Sequence, residues 1–149
     1  MGAQKEQPSI SSKIYWSGAF IAFGVPFLGI EALGLLYGVS PSNSLLLESY
    51  RFVILFLHIM GGMVGGFLVT QRSSVGWTQG GIVTGVMAYV LEQIVHTVLY
   101  GWNVIGDNFT MAGLILGSIL GAFIADYIEK RMKPEELLGE DANLSSDIS

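Results

Sequence analysis

The chain contains no cysteine. That removes disulfides, thiolate zinc sites, iron–sulfur clusters and thiol catalysis. It is also poor in charge. Asp, Glu, Lys and Arg make up 13% of its 149 residues, where a soluble domain carries roughly a quarter. Basic residues nearly vanish from the middle, where only Arg51 and Arg72 occur between Ile14 and Ile128. The net charge of −5 comes largely from the tail beyond Pro134, so no basic surface for nucleic acid exists. Phosphate loops, nucleophile elbows and zinc-protease motifs are missing as well. Little remains from which to build an enzyme, and none is expected.

What is present is apolar sequence in long runs, with a mean hydropathy of +0.56. Four stretches are long enough to cross a bilayer, at about 14–37, 50–70, 80–100 and 109–127. The first covers ~36 Å as a helix at 1.5 Å per residue. It is too long for a signal-peptide core and it contains Glu31, so it reads as a retained span. Pro26 lies in its middle and removes one backbone donor, which predicts a kink. Gly-Val-Ser-Pro-Ser-Asn-Ser at 38–44 predicts a turn-rich break. The expected organisation is a polar N-terminal segment (1–13), a four-helix transmembrane domain (14–128) and an acidic, largely disordered tail (129–149).

Orientation follows from the basic residues. With the N-terminus inside, Lys5, Lys13, Arg72, Lys130, Arg131 and Lys133 are cytoplasmic and only Arg51 is external. Tyr15, Trp16, Trp77 and Tyr127 then mark the inner interface, and Tyr37, Tyr50, Tyr100 and Trp102 the outer one. The expectation is a multi-pass plasma-membrane protein with both termini in the cytoplasm.

Glycine is concentrated in strips. Gly61 and Gly65, Gly62 and Gly66, Gly81 and Gly85, and Gly113, Gly117 and Gly121 are each four residues apart. Small residues at this spacing form a flat face that a second helix backbone can approach closely. The strips predict a compact glycine-packed bundle, with the partner helix either in the same chain or on another subunit. Two segments also repeat: 35–38 resembles 98–101, and 61–69 resembles 117–125. In both, a helix ends in Tyr-Gly and a glycine-rich helix returns, as in two tandem hairpins related by an axis along the membrane normal.

Four ionisable residues interrupt the apolar runs: Glu31, His58, Glu92 and His96. Such groups are expensive in hydrocarbon and face protein or water where they persist. Measured from the outer tyrosines, all fall ~6–12 Å below the outer interface. Three uses are open. The first is interhelical hydrogen bonding, with Glu92 and His96 satisfying each other at i,i+4 and Glu31 pairing with His58. The second is a proton or ion relay. The third is a metal site on His58, Glu92 and His96, although Glu-xxx-His is not the spacing of di-iron bundles. No cofactor is predicted; a metal ion is the alternative. Asp126 sits among charged residues near the inner end and reads as solvated. The Asn108-Phe109-Thr110 sequon abuts the membrane.

The glycine pairs of 61–66, a short loop with Arg72, and Gly76-Trp77-Thr78-Gln79-Gly80-Gly81 through Gly85 resemble small prokaryotic four-helix membrane proteins of unknown function. The resemblance covers residues 50–125 and implies a fold without an activity. Small accessory subunits of archaeal or bacterial membrane complexes look similar too. Both imply partners in the bilayer: lipid, further copies of the chain or other transmembrane subunits.

Overall fold

In the computed structural model, residues 12–40, 42–73, 76–101 and 108–132 are described. The N-terminal segment to residue 11, the turn that follows Gly101 and the acidic tail from 133 lie outside the described residues. Five helices are seen there: α1 (Ser12–Tyr37), α2 (Ser44–Ser49), α3 (Arg51–Arg72), α4 (Trp77–Tyr100) and α5 (Asn108–Met132). All but α2 are long and apolar enough to cross a membrane. The chain is an all-α, multi-pass membrane protein with a four-helix bundle.

The helix ends differ from expectation in two places, each for a local reason. Residues 44–49 form α2 where the sequence predicts no helix. The Asn43 side chain accepts from the backbone N–H groups of Leu45 and Leu46, and good helix formers follow. The last helix runs past Ile128 to Met132, where Lys130 and Asp126 pair at 2.7 Å across one turn. Asp126 is thus engaged rather than simply solvated. Pro26 lies inside α1, which continues on both sides of it. The Ala22 carbonyl, which Pro26 deprives of a helical donor, lies over Gly61 of α3, and the proline ring lies beside it. Only a glycine at 61 lets that carbonyl approach so closely.

The repeated Tyr-Gly pairs both end helices. Gly38 has φ 64° and Gly101 has φ 86°, conformations that L-residues rarely adopt. At the first, Val39 N–H closes onto the Gly34 carbonyl, the long bond of a Schellman cap.

The glycine strips find their partners within the chain. In the parallel seam between α3 and α5, Gly62 sits on the Leu114 carbonyl and Gly66 on that of Ser118. Gly117 and Gly121 in turn sit on the carbonyls of Ile59 and Met63. Exchanging the two helices maps one pair of contacts onto the other, as two related hairpins require. The register corrects the repeat alignment by one residue. Gly62, not Gly61, is the counterpart of Gly117, because Gly61 is turned toward α1. Antiparallel contacts complete the bundle: Gly65 against Gly18 and Ala22 of α1, and Gly81 and Gly85 against Ile119 and Ile115 of α5. A Cβ at Gly81 or Gly85 would come within 2.7 Å of those Cα atoms. Among the strip glycines, every one meets a neighbouring helix, so backbone packing replaces the hydrophobic drive that lipid does not supply.

This arrangement collects Lys13, Arg72, Lys130 and Arg131 at one end. Arg51 lies at the other, with its guanidinium 4.4 Å from the centroid of the Phe109 ring. The exterior is apolar, with Phe20, Leu28, Phe52, Phe56, Val98 and Leu116 all exposed. In lipid such a surface is matched to its solvent.

Candidate functional site

His58 and Glu92 are the centre of the buried polar layer. They come from α3 and α4 and are 0% and 2% exposed. The Nε2 atom of His58 lies 2.9 Å from Glu92 Oε1, and its Nδ1 lies 2.6 Å from the Ile54 carbonyl one turn earlier. Gly113 of α5 makes room for the imidazole, since a Cβ there would be 3.1 Å from His58 Cβ.

The protonation pattern follows from the acceptors. A carbonyl only accepts, so Nδ1 carries its hydrogen. One proton then decides the contact between Nε2 and Oε1. On nitrogen it makes an imidazolium–carboxylate pair; on oxygen, a neutral imidazole–carboxylic acid pair. Both forms have zero net charge, which suits a site out of reach of water. The other oxygen of Glu92, Oε2, is buried and has no hydrogen-bond partner among the described residues.

The remaining groups extend the layer toward the end opposite the basic residues. His96 Nδ1 is 3.9 Å from Glu92 Oε1, with its side chain 15% exposed. Its ring lies 5.8 Å from that of Tyr100. The Tyr100 hydroxyl donates to the Glu31 carboxylate of α1. At the same end Tyr50 donates to the Tyr37 hydroxyl, with the rings 5.1 Å apart.

No protein family, curated protein or solved structure matches this chain.

The four sequence-selected residues do share one region, and two of their closest partners differ from those expected. Glu92 contacts His96 along its own helix, as expected, at 3.9 Å, but its shorter bond, at 2.9 Å, is to His58 across helices. Glu31 pairs with Tyr100 instead of with His58. The cause is tertiary: His58 projects from α3 straight at Glu92, while Glu31 reaches the end of α4. Tyr100 enters the sequence reading only as an interface aromatic. Its spacing of four and eight residues from His96 and Glu92 puts it on their helix face, which is the available signal. Among the described residues, no group of three or more His, Asp or Glu side chains is disposed to hold a metal ion.

Proposed function

We propose that this is a membrane protein of structural or accessory type, working as a homo-oligomer or as a subunit of a larger membrane complex. The observation that carries the reading is that the ionisable groups of the polar layer join helices: His58 with Glu92 ties α3 to α4, and Glu31 with Tyr100 ties α1 to α4. Between the spans only short segments connect one helix to the next, so little chain stands outside the membrane to do chemistry. Native mass measurement of the protein extracted in lipid particles tests this. The expected result is a stoichiometric assembly, either of several copies or with larger subunits. A lone chain under every extraction condition would overturn it.

A second reading, a proton-handling protein, is favoured by one observation, the unpartnered Glu92 Oε2 beside a pair that shares a proton. A structural pair has no use for a free acceptor in that position, whereas a group that takes up and releases protons does. His96, Tyr100 and Glu31 then form the route to the outer end. In proteoliposomes under a pH gradient, this reading expects proton flux above empty vesicles that is abolished in Glu92→Gln. Flux equal to empty vesicles would remove it. The same preparation tests for metal: one ion per chain, lost in His96→Ala, would replace both readings with a metalloprotein.

A further inference from the structure

A cleft opens between the start of α1 and the end of α3, at the basic end of the bundle. Its mouth holds Lys13 and Arg72, and its walls include Ile14, Ile21 and Leu68. Ser17 also lines it, but its hydroxyl proton is committed to the Lys13 carbonyl at 2.8 Å. We propose that this cleft seats an anionic phospholipid, with Lys13 and Arg72 on the phosphate and the apolar walls on the upper acyl chain.

Three observations converge on that occupant. The first is charge. Two exposed cations line one cleft, and among the described residues neither has an acidic partner. Like charges brought together in this way repel, and a shared anion relieves the repulsion. The second is depth. Lys13 and Arg72 stand at helix ends, at headgroup level, while Leu68 and Ile21 lie four and eight residues away, ~6 and ~12 Å deeper. Cationic mouth above hydrocarbon wall is the order of groups in a phospholipid. The third is size. The cleft encloses about 110 Å³, well below the roughly 300 Å³ of the smallest usual small-molecule pockets. It therefore holds part of a molecule whose remainder lies in the bilayer. Anionic lipid is concentrated in the cytoplasmic leaflet, in keeping with the basic end being the one expected to face the cytoplasm.

The test uses the full-length protein in nanodiscs of phosphatidylcholine with and without phosphatidylglycerol, counting lipid retained on gentle extraction. Wild type retains one phosphatidylglycerol per chain. The double variant Lys13→Gln/Arg72→Gln retains it roughly thirtyfold more weakly, the effect of two interfacial cations. Ser17→Trp fills the cleft while keeping both charges, and it also loses the lipid. Lys130→Gln/Arg131→Gln, at the same end but outside the cleft, leaves retention unchanged. Equal loss in that control would show general surface charge and overturn the proposal. So would full retention in the Lys13/Arg72 variant, or displacement of the lipid by millimolar-range inorganic phosphate, which would mark a free-anion site. Each variant is first checked for a monodisperse, helical fold.

Discussion

Replacing Gly121 with leucine prevents the bundle from forming, and Gly66→Leu does the same. A Cβ at either position would fall deep inside the van der Waals radius of a backbone oxygen, that of Met63 for Gly121 and that of Ser118 for Gly66. Backbone cannot rotate aside as a side chain can, so α3 and α5 must separate along the whole seam. Separation forfeits the close backbone contacts on which association in lipid depends. Alanine at Gly121 already carries the clashing Cβ and lacks only the rest of the leucine side chain, so it costs at least the ~1–3 kcal/mol of an overpacked site. That is a large part of a folding free energy of about 5–15 kcal/mol. Gly24 is the control. Nothing lies within 4 Å of its would-be Cβ, and Gly24→Leu leaves the fold intact. Thermal unfolding followed by size exclusion in detergent reads all four variants. A monodisperse Gly121→Leu protein with wild-type stability would refute the seam.

His58→Ala has the second largest expected effect, destabilising by about 3–5 kcal/mol. Glu92 is then stranded. Its Oε2 already lacks a partner, and its remaining neighbour is His96 at 3.9 Å. Glu92→Leu alone strands the imidazole in the same way. The double variant His58→Phe/Glu92→Leu recovers most of the loss, because a buried pair replaced by apolar side chains of similar volume is close to neutral. The single variants His58→Phe and Glu92→Leu close a double-mutant cycle with it, and the two sites couple by more than about 3 kcal/mol, the summed single losses less the small loss in the double variant. Additive single effects would show that the pair is not formed. The cycle also bears on function. A double variant that is stable but loses a proton flux shown by the wild type favours the proton-handling reading. One that is stable and still assembles into the native complex favours the structural reading.

Much of this architecture is legible in the amino-acid sequence. Each span can be seen because transfer into lipid is summed over neighbouring residues, and nothing distant alters the sum. The glycine strips are visible because spacing of four is a property of one helix. The common depth of Glu31, His58, Glu92 and His96 follows from the rise per residue alone. Other features are hidden. The short helix α2 is obscured by the proline and serines before it, although Asn43 ahead of a leucine run is a cue. The register between the halves is displaced by one residue, since Gly61 and Gly62 are indistinguishable until it is known which faces α1.

By itself the sequence determined that the chain crosses the bilayer in four helices, that these pack through glycine, and that four ionisable groups occupy one depth. All are consequences of composition and helical period, read along a single strand of chain. The partners were set only when the helices packed. Packing closed the glycine strips on neighbouring helices of the same chain, gave Glu92 to His58 and Glu31 to Tyr100, and left one carboxylate oxygen without a bond among the described residues. It also brought Lys13 and Arg72 to one cleft. Partner choice depends on how each helix is rotated about its own axis. That rotation is set by contacts among all four helices at once, which no local pattern encodes.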